Sequence, residues 1–528
     1  MSSVADMEHL FPPRQQTEQH SKKDYLSVTD NRTGRSYRIR IAQNSILATD
    51  FHDIKSPPNA ENPVEQNDAG IRVFDPGFQN TACMASEITY VDGNAGEIAY
   101  RGYRVTDLFH SGRPFEHVAF LLIFGHLPND SEATAFNRSI ATSEMPPQNI
   151  FDMINNLPPE THATTAISAA LTMYAALRPK KIPAHRGENL YQNNLPAVDK
   201  EISQCLLISS VVGAAIFCRL HGRDFAPPQP SYSYTENILH MMRFVDAETG
   251  RPDDRVVSLL NRTMILMADH EITSSASVLL NTASALADPF SCCAAAALSG
   301  IGILHGGAIE VAYKQLEAVR DVSQVPALIE DVKAHKRRLF GYGHRKWKLA
   351  DPRSVLFREL ISEAMEGNES LKNDHHLAIA LEIDRVASQD KYFQERKLCA
   401  NADLFLSFAY KAMGIPVDFI LPMTILNRNP GYLAHYREAM AVPKPCMWRP
   451  LQIYVGENPG RMLDRASEQE DDQSPEKKQD HDSKVVNRVV KNGQLRDVYR
   501  DNILINLVFS FGPMKGTNVL VWTICYAT

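Results

Sequence analysis

The sequence has no pair of cysteines spaced Cys-x-x-Cys, although its 528 residues include eight cysteines. In a chain of this length, scattered cysteines indicate reduced thiols in an intracellular protein rather than a disulfide framework. Long apolar runs are also missing, because no stretch approaches the roughly 20 uninterrupted apolar residues of a membrane-spanning helix. We therefore do not expect a membrane partner.

Targeting signals are absent from both ends of the sequence. The first residues contain no apolar signal core, and Asp6 and Glu8 are atypical of the acid-poor transit peptides of mitochondria. The final Tyr-Ala-Thr is not a peroxisomal address. We expect a cytoplasmic protein, and a mitochondrial location is the less favoured alternative.

An excess of positive charge is missing as well, since the formal net charge is −7. Proteins that bind nucleic acid usually present a basic face, so no nucleic-acid partner is expected. The local exception is the basic run from Lys333 to Lys348. The 44% of hydrophobic residues suffices for a large core in a two-lobed enzyme or in two to three domains.

The residue patterns that are present are mostly helical, and the predicted fold class is mainly α. Residues 1–24 form a polar, disordered lead, and turn residues predict β-hairpins at 25–41 and 88–100. From about residue 104 onward, long runs rich in Ala, Leu and Ser predict closely packed helices. Residues 457–528 combine a charged disordered linker with an apolar tail, which is either a genuine extension or a gene-model error.

The stretch "LHGGAIEVAYKQL" places His305 before two glycines and a helical pattern. An imidazole near the positive end of a helix dipole tends to stay neutral. A neutral imidazole can donate a hydrogen bond to a carbonyl oxygen and stabilise an enol or enolate. The alternative is a histidine that only caps the helix.

The stretch "FGYGHRKWKLADPR" combines a Gly-x-Gly turn with His344 and Arg353. It lacks the third glycine of a dinucleotide fingerprint. Glycines allow a ligand to approach the backbone, and an arginine can bind a carboxylate through two hydrogen bonds. The alternative is an exposed basic loop.

Asp403 stands just before an apolar helical run and is a candidate base for removing a proton next to a carbonyl. The alternative is an aspartate that caps the helix. His270, Arg428 and Arg449 are further polar candidates, each of which has a structural alternative. None of the 18 histidines has zinc-ligand spacing, so a metal-binding protein is not favoured.

Together, these motifs resemble the citrate synthase family. His305 in "LHGGA", His344 in "GYGHRKWKLADPR" and Asp403 in "NAD" match its three catalytic motifs in order and approximate spacing. "YRGYRVTDL", "ADHE", "NRNPGYLAH" and "RPLQIYVG" add to the resemblance, which covers residues 25–456. It implies a mainly α, two-domain fold with a large domain at 25–305, a small domain at 306–410 and a return to the large domain at 411–456.

The resemblance also implies the reaction, in which an acyl-CoA condenses with oxaloacetate and the thioester is then hydrolysed. Asp403 would remove the proton, His305 would stabilise the enol and His344 would polarise the ketone. His270, Arg353, Arg428 and Arg449 would bind oxaloacetate, with Arg449 crossing to the partner site of a homodimer. The implied CoA-binding residues are Leu339, Phe340, Gly341, Tyr342, Gly343 and Lys348, with Arg337 and Arg338 nearby. No metal or redox cofactor is expected.

The sequence departs from the family near the expected acyl group. Ile309 follows "HGGA" where many relatives have Asn, residues 399–402 read Cys-Ala-Asn-Ala, and residues 272–275 read Ile-Thr-Ser-Ser. These apolar or smaller residues favour an acyl chain longer than acetyl, as in the fungal alkylcitrate synthases of secondary metabolism. The alternatives are a 2-methylcitrate or ordinary citrate synthase and, from another class, a catalytically silent relative that binds CoA esters.

Overall fold

The computed structural model describes residues 24–56 and 70–456. The predicted disordered lead before residue 24 and the predicted linker and tail at 457–528 lie outside the described residues. Described residues up to Ile453 form one compact unit, and those from Tyr454 belong to a second. The predicted division of the first unit into a large and a small domain stays a prediction.

Two small antiparallel sheets lie at the N-terminal side, as the hairpin signals predict. Strands β1 (Tyr25–Asp30) and β2 (Arg35–Arg40) pair with each other, whereas β3 (Thr89–Asp92), β4 (Glu97–Tyr100) and β5 (Tyr103–Arg104) form a three-stranded sheet. The third strand was not predicted. A Cβ at Gly93, in the β3–β4 turn, would lie 1.9 Å from the carbonyl oxygen of Lys346. The glycine therefore allows this turn to contact the loop that carries His344.

Helices make up most of the remaining described chain, so the mainly α class is confirmed. The first eight are α1 (Val105–His110), α2 (Phe115–Phe124), α3 (Asp130–Ala141), α4 (Gln148–Asn155), α5 (Ala163–Ala176), α6 (Pro183–Arg186), α7 (Leu195–Leu220) and α8 (Tyr234–Met241). They are followed by α9 (Asp254–Met267), α10 (Ser274–Ser284), α11 (Pro289–Gly300), α12 (Ala308–Glu317), α13 (Val325–Lys333) and α14 (Pro352–Met365). The last are α15 (Glu369–Lys372), α16 (His375–Gln389), α17 (Lys391–Glu395), α18 (Ala402–Ala412) and α19 (Ile420–Ala441).

Helices α7 and α19 form the centre of the core. Helix α7 is long and apolar enough to cross a bilayer, and its whole apolar window is buried inside the protein. It packs against α5 and α19. A Cβ at Gly213 in α7 would lie 2.5 Å from Cδ1 of Leu426 in α19, so the small residue permits the close helix crossing.

The apolar run that precedes His305 forms two helices, α10 and α11, because Asp288 and Pro289 interrupt it. The side chain of Asp288 accepts hydrogen bonds from the backbone N–H groups of Phe290 and Ser291 and so caps α11. The two helices pack against each other. The turn after α11 then brings His305 to the start of α12.

Candidate active site

One cleft, with a volume of about 270 Å³, collects most of the predicted site residues. Its walls come from the turn before α12, from the loop at residues 338–345, and from the starts of α10, α14 and α18, with one face of α19. The predicted catalytic and oxaloacetate-binding side chains that line it are His305, His344, Asp403, His270, Arg353 and Arg428. The fold therefore brings together residues from five separate sequence motifs.

His305 is held by a chain of hydrogen bonds. The backbone N–H of Ser275 donates to Nε2 of His305 at 3.2 Å, and the Ser275 hydroxyl lies 2.7 Å from the same nitrogen. The hydroxyl of Tyr432 in turn donates to Ser275 Oγ at 2.7 Å. Since Nε2 accepts, the ring proton resides on Nδ1, which can donate to a substrate oxygen.

The protonation state of His305 follows from its surroundings. Burial, and secondly the charge of Arg428, lower the pKa of His305 to about 4. The imidazole is therefore neutral near pH 7, as its position in the sequence predicts, but burial is the main cause rather than the helix dipole. The side chain does not cap α12, whose N-cap residue is Gly307.

His344 is the second neutral imidazole of the cleft. Its Nδ1 accepts hydrogen bonds from the backbone N–H groups of Lys346 at 3.0 Å and of Trp347 at 3.4 Å. The ring proton is therefore on Nε2. Burial, and secondly the charge of Arg353, lower the pKa of His344 to about 4. The residue is part of the cleft and not of an exposed basic loop.

Asp403 lies in the first turn of α18, and the helix cap is a different residue, Asn401. The Asn401 side chain accepts the backbone N–H of Asp403 at 2.9 Å and donates to the carbonyl of Gly343 at 2.8 Å. Burial raises the pKa of Asp403 to about 6, with Arg353 opposing this shift and Asp351 adding to it. Asp403 is thus free to act as a base that titrates close to neutral pH.

A buried carboxylate that sequence reasoning missed, Asp351, holds Arg353. Arg353 donates from Nε to Oδ1 of Asp351 at 3.1 Å and from Nη2 to Oδ2 at 2.8 Å. Oδ2 also accepts the backbone N–H of Ala402 at 3.2 Å, so one side chain connects the starts of α14 and α18. The available signal was the Asp-Pro pair, which is typical of a helix start.

His270 and Arg428 are the remaining predicted oxaloacetate-binding residues of the cleft. Both are buried, and within the described residues neither Nε2 of His270 nor Nη1 of Arg428 has a hydrogen-bond partner. Burial, followed by the charge of Arg353, lowers the pKa of His270 well below its usual value. Buried nitrogens without partners are suited to a polar ligand in this cleft.

Five of the six predicted CoA-binding residues line the cleft, and the sixth does not. Leu339, Phe340, Gly341, Tyr342 and Gly343 line the cleft, together with Arg338. Lys348 and Arg449 are exposed and lie outside the cleft lining. Within this chain, the predicted oxaloacetate cage therefore contains three members rather than four.

Of the residues near the expected acyl group that depart from the family pattern, some line the cleft and others do not. Ile309, Thr273, Ser275, Asn401 and Ala402 line the cleft. Cys399 and Ala400 do not belong to the lining, and Ala400 instead pairs with Tyr342 in an isolated β-bridge. In the part of the chain that the structure describes, no group of three or more His, Cys, Asp or Glu residues could hold a metal ion.

Comparisons with known proteins agree with this geometry. Residues 77–451 match the family described as "Citrate synthase, C-terminal domain". The chain belongs to the citrate synthase family. It is a transferase of the citrate synthase type, and its reaction is a citrate synthase-like condensation with oxaloacetate.

Among curated relatives, the chain is 44% identical to the citrate synthase-like protein oryE of Aspergillus oryzae, over 83% of this chain and 96% of that protein. It is 35% identical to the alkylcitrate synthase phiJ of a fungal species, over 82% of this chain and 93% of that protein. The glyoxysomal citrate synthase of Cucurbita maxima is 34% identical, over 82% of each chain.

Among solved structures, the fold is similar to the citrate synthase of Thermoplasma acidophilum in its ternary complex with carboxymethyl coenzyme A and oxaloacetate. The TM-score is 0.66 at 25% identity, covering 73% of this chain and 97% of that chain. The predicted citrate synthase-like helical fold is therefore confirmed.

Proposed function

We propose that this enzyme condenses an acyl-CoA longer than acetyl-CoA with oxaloacetate and then hydrolyses the thioester, releasing an alkylcitrate and free CoA. The observation that carries the proposal is the protonation pattern of the cleft. Two neutral imidazoles with defined donor nitrogens face the same cavity as a carboxyl group whose pKa is raised to about 6. Enol chemistry next to a thioester needs this combination of base and neutral hydrogen-bond donors.

The first step forms the enol. The carboxylate of Asp403 takes a proton from the carbon next to the thioester carbonyl. Nδ1–H of His305 donates to the thioester oxygen, where negative charge develops. The Ser275 contacts at Nε2 keep the proton on the nitrogen that does this.

The second step forms the carbon–carbon bond. Nε2–H of His344 polarises the ketone of oxaloacetate and supplies a proton to the new alkoxide. Arg353, Arg428 and His270 hold the carboxylates and the ketone, and Arg449 of a partner subunit completes the cage in a homodimer. Fixing both reactants in one cleft removes much of the entropic barrier of a bimolecular reaction.

CoA binding is assigned to the glycine turn and the nearby basic residues. The backbone of residues 339–343 faces the adenine, and Lys348, Arg337 and Arg338 meet the phosphates. Arg338 supports this assignment because it lines the cleft. The reaction as proposed uses CoA as part of the substrate and requires no metal or redox cofactor.

The chain-length preference rests on what surrounds the reacting carbon. Ile309, an apolar residue in the first turn of α12, lines the cleft beside Ala308 and Gly306. An apolar wall stabilises the bound acyl-CoA by burying each added methylene, and a bare acetyl group has no such methylenes to bury. The two fungal relatives named above also support a role in secondary metabolism. A 2-methylcitrate or ordinary citrate synthase is the nearest alternative.

The test measures free CoA release with oxaloacetate and acyl-CoAs from acetyl to decanoyl. We expect release that depends on oxaloacetate, is faster with chains longer than propionyl, and disappears in Asp403→Ala. The matched control is Asp418→Ala, because Asp418 is an exposed carboxylate that does not line the cleft. A maximum at acetyl or propionyl would assign the enzyme to the alternative, and no release at all would favour a catalytically silent relative.

A further inference from the structure

Two large apolar side chains lie exposed immediately before His305. Ile303 is 60% exposed and Leu304 is 76% exposed, and both line the catalytic cleft. Single exposed apolar residues are common, but a pair at the mouth of a substrate cavity marks a surface that contacts an apolar group.

Two buried apolar residues line the same cleft as Ile303 and Leu304. Ile309 and Ile425 both line the cleft and are 1% and 8% exposed. Ile425 is fixed in place, since a Cβ at Gly300 would lie 2.5 Å from its Cδ1. These four residues, Ile303, Leu304, Ile309 and Ile425, form what we call the apolar strip.

The rest of the cleft lining combines polar groups with the loop assigned to CoA, which contributes Leu339, Phe340 and Tyr342. Arg353, Arg428 and His270 provide the positive charge and the unpartnered nitrogens that suit the dianion oxaloacetate. A hydrocarbon chain has no stabilising contact with these groups. The carbon that Asp403 deprotonates must also lie close to His305, and Leu304 is the residue next to His305 in the chain. With CoA assigned to the loop at residues 339–343, the apolar strip beside His305 is the apolar surface left for an alkyl substituent on that carbon.

We propose that the alkyl chain of the acyl-CoA lies along the apolar strip and that its far end leaves the cleft at Leu304. This inference rests on the proposed function, because it names the residues that select the acyl group in that reaction. Burial of a methylene corresponds to about a fourfold change in binding. The specificity constant should therefore rise with chain length until the strip is covered. It should then stay level, because the open end at Leu304 imposes no length limit.

The experiment compares the double variant Ile303→Ser/Leu304→Ser with the double variant Leu298→Ser/Ile301→Ser. Leu298 and Ile301 are 46% and 38% exposed in the same segment but do not line the cleft, so they form the matched control. KM and kcat are measured for acetyl-, butyryl-, octanoyl- and decanoyl-CoA. Calorimetry with oxaloacetate compares the binding of octanoyl-CoA and free CoA, and size-exclusion chromatography reports the oligomeric state.

We expect Ile303→Ser/Leu304→Ser, the cleft variant, to raise KM for octanoyl- and decanoyl-CoA about 15-fold, the effect of losing two buried methylenes. Its kcat and its values for butyryl-CoA should be nearly unchanged. The control variant should behave like the wild type. Equal changes at all chain lengths, the same change in the control variant, or an altered oligomeric state would overturn the strip as an alkyl site.

The calorimetry separates this inference from the proposed function. If the wild type releases no CoA but binds octanoyl-CoA more tightly than CoA, and the cleft variant loses that difference, the strip stands and the proposed reaction fails. If the wild type turns over long chains and the cleft variant keeps the full preference, the reaction stands and the strip fails. If octanoyl-CoA and CoA bind equally to a wild type without turnover, both fail.

Discussion

At the scale of single residues, burial decides the chemistry of this cleft. The same desolvation lowers the pKa values of His305 and His344 and raises that of Asp403, because it disfavours the charged form of each group. Hydrogen bonds to Nε2 of His305 and Nδ1 of His344 then leave the ring proton on opposite nitrogens. Three side chains of ordinary acidity thus become one base and two neutral donors.

The first prediction concerns the pH dependence of activity. Because Asp403 must be ionised and its pKa is about 6, kcat/KM should fall about tenfold per pH unit below pH 6. His305 and His344, with pKa values of about 4, stay neutral throughout this range. The profile should be measured in constant-ionic-strength buffers from pH 4.5 to 9. A midpoint below pH 4.5 would contradict the raised pKa of Asp403.

The second prediction concerns stability. The pKa of Asp403 is higher in the folded protein than its usual value of 3.8, so the unfolded chain loses this proton first. Stability is therefore lost as the pH rises from about 4 to about 6, by up to about 3 kcal/mol. Asp403→Asn should abolish activity and raise the melting temperature more at pH 8 than at pH 4.5. A variant that is equally stabilised at both pH values would refute the ionisation argument.

The third prediction concerns the serine that orients His305. Ser275→Ala removes the hydroxyl contact at Nε2 while the backbone N–H contact remains. A whole general acid or base group contributes about 100- to 10,000-fold. Because the backbone contact at Nε2 remains, we expect a smaller fall in kcat, about 10- to 100-fold, with little change in KM. Ser274→Ala is the matched control, because Ser274 is exposed and contacts Ser299 instead. Equal activity of the two variants would show that the hydroxyl does not act on His305.

At the scale of elements, the loop with His344 and the start of α18 form one unit. The backbone N–H of Gly343 donates to the carbonyl of Cys399, that of Asn401 donates to the carbonyl of Gly341, and the Asn401 side chain closes the contact at Gly343. This unit fixes His344 relative to Asp403. It also explains why the stretch around Gly341 needs glycine.

The fourth prediction tests this contact. Gly341 has φ +79° and a Cβ there would lie 3.0 Å from Cα of Leu404, so Gly341→Ala combines backbone strain with a clash against α18. Gly112 has φ +67° with open space around it, and Gly112→Ala therefore reports the strain alone. We expect Gly341→Ala to lower the free energy of unfolding by about 1 to 3 kcal/mol more than Gly112→Ala, as for other overpacked sites, and to weaken acyl-CoA binding. Chemical denaturation and calorimetry give both quantities, and equal losses would contradict the packing argument.

At the scale of the whole molecule, one of the four predicted oxaloacetate-binding residues is missing from the cleft. Arg449 is exposed and lies outside the lining, in the segment that follows α19. The proposed homodimer accounts for this placement, since each site would then use Arg449 of the other chain. In that homodimer, Arg449 would make each active site depend on the partner chain.

The fifth prediction tests this sharing of sites by mixing two inactive variants. A dimer of Arg449→Ala with Asp403→Asn would contain one intact site and one doubly altered site. Random exchange in a symmetric dimer should therefore restore about a quarter of the wild-type activity. Each variant alone should stay inactive after the same co-expression or refolding procedure. A mixture without recovered activity would place Arg449 in the site of its own chain or outside catalysis.

The sequence by itself determined the helical class, the hairpins and three candidate catalytic residues that the structure places in one cleft. Helix and turn signals are local, so the patterns around residues 25–41 and 164–177 predict the elements that are observed. His305, His344 and Asp403 were found because each lies in a distinctive short motif. The family resemblance then linked three distant motifs that spacing alone cannot connect.

Only the tertiary structure decided how those residues are held and charged. The contacts of Ser275 with Tyr432 and of Asp351 with Ala402 join residues that lie 51 to 157 positions apart. The apolar strip likewise joins the turn before α12 to Ile425 in α19. Burial, ring tautomers and long-range contacts depend on the groups that pack around a side chain. The sequence alone does not show which distant residues become the neighbours of that side chain in space.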